Sequence, residues 1–117
     1  MTLDSDYDWF NKDVSEMTFD KYQQIAGGTA IYDEKYKVFY PALGLAGEAG
    51  EVANKVKKLM RDSVEHDIAG EIGDVLWYVA ALCSDLDLSM EDVAIKNINK
   101  LHSRKERGVI SGSGDNR

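Results

Sequence analysis

The sequence predicts an all-α fold, a four-helix-bundle-like domain that works as an oligomer. Three observations predict it. Apolar residues recur at spacings of three and four along nearly the whole chain, no segment alternates as a half-buried strand would, and cap-forming residues stand where the first and fourth helical patterns begin. From Thr18 as N-cap, Phe19, Tyr22, Ile25 and Ala26 trace one face of a first helix, which Gly27 and Gly28 weaken. Pro41 suits the first turn of a second helix, where Leu45, Ala49, Val52, Val56 and Leu59 repeat up to about Arg61. A third helix, roughly His66 to Leu86, carries Ile68, Ile72, Val75, Val79, Cys83 and Leu86 on one face. Ser89, followed by Glu91 and Asp92, opens a fourth helix, and Gly108 closes it after a basic last turn. The middle of the third helix, Val75 to Cys83, is apolar all round and needs enclosure on several sides. A bundle of 117 residues does not supply that alone, so a homodimer or homotetramer is expected.

The length fits one domain, read as an N-terminal arm (1–17), a helical domain (18–108) and a glycine-rich tail (109–117). The arm mixes acids with Tyr7, Trp9 and Phe10, which leaves open disorder or packing on the body or a neighbouring subunit. The tail's composition reads as a floppy end. An apolar content of 44% excludes a wholly disordered chain. The longest uninterrupted apolar stretch is nine residues, against the ~20 needed to span a bilayer, so no membrane role is expected. No signal-peptide pattern precedes it, and the lone Cys83 excludes an intramolecular disulfide and makes no zinc cluster. A cytoplasmic domain is the expectation.

The net charge of −7 speaks against a nucleic acid polymer, but the distribution matters more than the sum. Residues 1–34 hold eight acids against Lys12 and Lys21, a balance of −6, and the remainder is nearly neutral. Nine of the fourteen bases fall in two clusters, Lys55 to Arg61 and Lys96 to Arg107.

One segment occurs twice. Ala46-Gly47-Glu48-Ala49-Gly50-Glu51-Val52 and Ala69-Gly70-Glu71-Ile72-Gly73-Asp74-Val75 agree at five of seven positions. Residues three apart share a helix face, so each copy displays two carboxylates side by side. Two such helices packed antiparallel bring four together, and a divalent cation relieves their repulsion. Each acid follows a glycine, and four interior glycines cost roughly 2–4 kcal/mol relative to alanine. Close approach of the two helix backbones is the expected reason. A single Glu-x-x-Glu pair is usually just a solvated face; the duplication with its glycines favours a metal site.

An oxygen-only site is hard and suits Mg²⁺, with Mn²⁺ as substitute. His66 and His102 do not stand three residues after any of the four acids, so the Glu-x-x-His element of di-iron bundles is missing. Carboxylate-held Mg²⁺ commonly acts on phosphates, whose oxygens complete its shell. Lys55 extends the acidic face of the second helix by one turn, and Asn97, Lys100 and Arg104 form one stripe on the fourth. Tyr78, one turn after Asp74, is placed either to stack on a base or to join the core, and Trp77 faces the core or an interface.

Glu48-x-x-Glu51, nineteen intervening residues and Glu71-x-x-Asp74 resemble the signature of the MazG-like nucleotide pyrophosphohydrolases, in the all-α NTP pyrophosphatase superfamily. The likeness runs from about Tyr22 to Arg117 and takes in Leu43-Gly44-Leu45, Gly73-Asp74-Val75-Leu76-Trp77-Tyr78 and Asn97-x-x-Lys100-Leu101-x-x-Arg104. Where many relatives follow the last arginine with Tyr-Pro, this chain has Lys105-Glu106 and then Arg107-Gly108, as in small single-domain relatives with a glycine-rich ending. The resemblance implies Mg²⁺-dependent hydrolysis of nucleoside triphosphates to monophosphate and pyrophosphate, with nucleotide-pool house-cleaning as one use. It implies Glu48, Glu51, Glu71 and Asp74 as metal ligands and Asn97, Lys100 and Arg104 as triphosphate contacts.

The expected mechanism has two or three ions orienting a water for in-line attack at the α-phosphorus, with Glu48 or Glu51 accepting its proton. The tail either stays free or folds over bound nucleotide through Ser111, Ser113 and Arg117. Two rivals remain at this stage: a non-catalytic helical interaction or regulatory module, and a phosphohydrolase of another phosphorylated metabolite.

Overall fold

The computed structural model describes residues 16–117. Among the described residues the chain is helical with no strand: α1 (Phe19–Gly27), a 3₁₀ turn (Glu34–Tyr36), α2 (Phe39–Asp62), α3 (Ile68–Asp85) and α4 (Met90–Glu106). The predicted arm, apart from Glu16 and Met17, lies outside these residues. No described helix is long and apolar enough to cross a membrane.

Two helices begin on the caps the sequence dictates. The Thr18 hydroxyl accepts the Lys21 N–H at 3.1 Å and the Ser89 hydroxyl accepts that of Asp92, also at 3.1 Å. The third helix starts later than the apolar pattern indicates. Asp67 is its N-cap, accepting the Gly70 N–H at 2.9 Å, which leaves His66 outside. Leu86, expected inside, is the residue that caps its C-terminus. α2 begins on Val38, whose side chain makes no cap bond, and Pro41 is fully buried in the first turn, where its missing N–H costs nothing. Gly108, at φ 71°, ends α4 as expected.

α2 and α3 form the main antiparallel pair, and α1 packs on α3. Ala26, Ala80, Cys83 and Met90 make the buried core, with Tyr22, Leu76, Trp77 and Val79 around it. α4 is anchored at its start. Gln23 accepts the Met90 N–H at 2.8 Å and donates to the Leu88 carbonyl at 2.8 Å, fixing α1 against the α3–α4 turn. Beyond that anchor α4 leaves Ile95 and Ile98 52% and 63% exposed. α2 likewise shows solvent a stripe of Ala49, Ala53, Val56 and Met60, spaced four, three and four apart. That is the spacing of a coiled-coil seam.

The glycine-rich tail is held rather than loose. Arg117 donates through Nε to the Val109 carbonyl at 3.0 Å and through Nη1 to that of Gly114 at 2.6 Å. Arg107 Nη2 reaches the Arg117 carbonyl at 2.8 Å. Composition alone misses this, because the closure depends on where Arg107 and Arg117 fall relative to the turns.

Candidate active site

Antiparallel pairing of α2 with α3 sets Glu48 against Glu71 and Asp74. One carboxylate oxygen from each of the three lies within 4.8 Å of the others. Around a Mg²⁺ ion with bonds of about 2.1 Å, adjacent ligand oxygens stand about 3 Å apart and opposite ones about 4 Å. The all-oxygen chemistry suits a hard divalent cation, and a separation of up to 4.8 Å closes to these values by small side-chain rotations. Glu51 is exposed one turn further along α2 and stands outside this group of three.

The electrostatics show how the cluster copes with its own charge. The hydrogen bond with Glu71, then burial and the nearby Asp74 charge, push the Glu48 carboxyl above its ordinary range. Glu71 moves the opposite way, chiefly because Lys55 pairs with it and secondarily because of Glu48. Lys55 Nζ lies 2.9 Å from Glu71 Oε1 and donates to the Asp67 carbonyl at 3.2 Å. The Glu48–Glu71 contact and the ion pair with Lys55 thus hold the carboxylates together. A bound metal ion would add the positive charge that Lys55 supplies only to Glu71.

Close approach of the backbones at the Gly-acid repeats, expected from the sequence, is not what the glycines provide. A Cβ built on Gly47, Gly50 or Gly73 meets nothing within 4 Å, and one on Gly70 overlaps only the capping Asp67 carboxylate. The close contact comes earlier, at Gly44, where a Cβ would overlap the Tyr78 ring. Tyr40, Gly44 and Glu48 follow one another at four-residue spacing, so this ring packs on the α2 face that leads to the carboxylates.

Tyr78 is one wall of a cleft of about 440 Å³ lined also by Thr29, Ile31, Tyr32, Tyr36, Tyr40 and Trp77. Tyr32 and Tyr40 stack with centroids 4.7 Å apart, and Trp77 meets Tyr78 edge-on at 5.0 Å. Trp77 Nε1 donates to the Thr29 hydroxyl at 2.8 Å, which in turn donates to the Ala26 carbonyl at 2.7 Å. Burial, then Tyr40, raises the Tyr78 phenol above its ordinary value, and the Glu48 and Asp74 charges add to the effect. The cleft therefore adjoins the carboxylates. Eight residues of helix, about 12 Å, separate Tyr40 from Glu48. Tyr32 and Tyr40 escaped the sequence reading, although the spacing Tyr32, Tyr36, Tyr40 was a signal for them.

The remaining predicted residues lie on α4. Among the described residues, Asn97 and Lys100 are exposed and make no hydrogen bond or ion pair with the carboxylates. Arg104 is 6% exposed, and its Nη2 donates to the Asp115 carbonyl at 2.8 Å. Its guanidinium is spent on the tail.

Residues 41–109 match the family model of the MazG nucleotide pyrophosphohydrolase domain. The chain is 49% identical over 114 residues to the Gene 37 protein of Mycobacterium phage L5, a match covering 86% of this chain and 100% of that one. No solved structure matches. The family match spans both Gly-acid repeats and the α2–α3 pair that joins them, and the chain belongs to the MazG nucleotide pyrophosphohydrolase family.

Proposed function

We propose that this protein is a Mg²⁺-dependent nucleoside triphosphate pyrophosphohydrolase that converts a (d)NTP and water to the (d)NMP and pyrophosphate, with Mn²⁺ as a substitute metal. The observation that carries the reading is the gathering of Glu48, Glu71 and Asp74 within 4.8 Å beside an aromatic cleft of base-sized volume. When bound, the divalent ion supplies Lewis acidity, activating water and neutralising phosphate oxygens.

Glu48, Glu71 and Asp74 hold the metal, and Glu51, one turn away, completes the ligand set. Glu51 is also the better placed of the two candidate bases, because Glu48 is engaged with Glu71. A proton leaving the attacking water passes to it as the new oxygen–phosphorus bond forms at the α-phosphorus and the bond to the departing pyrophosphate breaks. Tyr78, Tyr40 and Tyr32 receive the base by stacking, worth about 1–3 kcal/mol per base. Lys55 is close enough to the carboxylates to exchange Glu71 for a phosphate oxygen. Asn97 and Lys100 are assigned to the triphosphate, and Arg104 serves it indirectly, through its hold on the tail. The open space over Gly47, Gly50 and Gly73 gives phosphates an unobstructed approach beside the acids.

The exposed seam on α2 and the apolar face of α4 support a homo-oligomer, either dimer or tetramer. A cytoplasmic location agrees with the single, buried Cys83 thiol. The test is pyrophosphate release from a panel of ribo- and deoxyribonucleoside triphosphates with Mg²⁺ and with EDTA. Metal-dependent release from at least one nucleotide is expected. No release from any of them overturns the reading in favour of a non-catalytic interaction module, and release only of another product points to a different phosphohydrolase.

A further inference from the structure

Asp85 is the last residue of α3, and a carboxylate there faces the negative end of the helix dipole, where acids are disfavoured. Its Oδ2 nevertheless collects two donors from the segment ahead of α2, the Tyr32 hydroxyl at 2.7 Å and the Val38 N–H at 2.9 Å. Both are unusual. Val38 is β-branched and sits at φ 70°, ψ −50°, a conformation that persists only when its surroundings impose it. From it α2 departs, with no side-chain cap to fix the start. Tyr32 is the ring stacked on Tyr40 in the cleft lining, and burial followed by the bond to Asp85 pushes its phenol well above the ordinary value, so it stays a donor. One oxygen thus fixes both one ring of the stack and the strained residue from which the helix bearing the other ring, Tyr40, departs.

We infer that Asp85 is a positioning residue for the aromatic cleft: by holding Tyr32 and Val38 it keeps the Tyr32–Tyr40 stack in place and governs how tightly a nucleotide base is held, without touching it. The inference rests on the reading of the cleft as the base site. Asp85 follows Asp74 by eleven residues, about 16 Å along α3, too far to meet a phosphate at the carboxylates. Loss of the clamp therefore acts on substrate binding and leaves the chemical step nearly intact.

The test uses the full chain as wild type, Asp85→Ala, Asp85→Asn and Tyr32→Phe. It measures kcat and KM for pyrophosphate release from the best nucleotide of the panel, with near-UV circular dichroism of the tyrosines. Asp85→Ala is expected to raise KM about tenfold, to change kcat by less than about twofold and to alter the tyrosine signal. Asp85→Asn, whose amide oxygen still accepts both donors, is expected to stay within about threefold of wild type, and Tyr32→Phe to raise KM about threefold. An unchanged KM in Asp85→Ala overturns the inference, as does a fall in kcat at constant KM or an Asn variant as impaired as the Ala variant. If Asp85→Ala does not fold, Tyr32→Phe decides, and an unchanged KM there overturns it. A wild type inactive on every nucleotide removes the base-site reading and this inference together, whereas an active wild type with an unmoved Asp85→Ala KM removes this inference alone.

Discussion

Lys55 Nζ stands 2.9 Å from Glu71 Oε1, tying α2 to α3 beside the three clustered carboxylates. It occupies the role of a counter-ion that a divalent metal would also fill. Replacing it by an isosteric apolar residue, Lys55→Met, leaves Glu71 and its neighbours less compensated. The metal-free protein is expected to melt at lower temperature and the Mg²⁺-induced rise in Tm to grow by about 3 °C. Thermal melts with Mg²⁺ and with EDTA check both; a smaller Mg²⁺ effect in the variant contradicts the assignment.

The opposed shifts of Glu48 and Glu71 give the site a pH signature. Because Glu48 is raised, its protonation stabilises the metal-free fold below its ordinary range, and that contribution disappears as pH rises through the folded value. Glu71 is lowered, so its contribution is present above the ordinary carboxylate range and is lost as pH falls through the folded value. Metal binding needs both carboxylates ionised and so displaces the Glu48 proton. Mg²⁺ affinity, read as the midpoint of a Tm titration, is expected to weaken on acidification while pH is still above the usual glutamate value. A midpoint constant down to that value contradicts this.

The glycines separate into two kinds. Gly44→Ala drives a methyl into the Tyr78 ring and is expected to cost about 1–3 kcal/mol. Gly47→Ala and Gly50→Ala meet open space and are expected to gain about 0.5–1 kcal/mol each through helix propensity. If the space serves the phosphates, the same two variants lose about tenfold in kcat/KM. Chemical denaturation and steady-state kinetics on each variant measure the two effects, and a loss of stability at Gly50 contradicts the open geometry.

Arg104 lies on the predicted phosphate stripe, yet its guanidinium holds the Asp115 carbonyl at 2.8 Å. Arg104→Lys cannot reproduce that bond in the same geometry. Faster proteolysis after residue 108 is expected, with little further effect of Arg104→Lys in a chain lacking residues 109–117. Limited proteolysis and kinetics of the single and combined changes check this; independent, additive losses of activity point to direct substrate contact instead.

Much of the architecture is written in local chemistry. The Thr18 and Ser89 caps, Gly108 and the three- and four-residue apolar spacing act within one or two turns, so they can be read without the fold. The paired carboxylates were legible for the same reason, because i and i+3 share a face on any helix. What escaped depends on residues distant in sequence. Asp85 bonds to Tyr32 and Val38, and the Gly44–Tyr78 contact joins two helices. The reason assigned to the repeat glycines failed because the antiparallel pair turns Glu48, and not Gly47 or Gly50, toward α3. Arg104 was read from its stripe, and only the path of the tail shows that its guanidinium is taken.

The most direct measurement is pyrophosphate release by wild type and Glu71→Gln under saturating Mg²⁺, with an EDTA control and Tm recorded for both proteins. Metal-dependent release by wild type is expected, with a fall of about 10³-fold or more in Glu71→Gln and the fold retained. Full activity in a folded Glu71→Gln would contradict it.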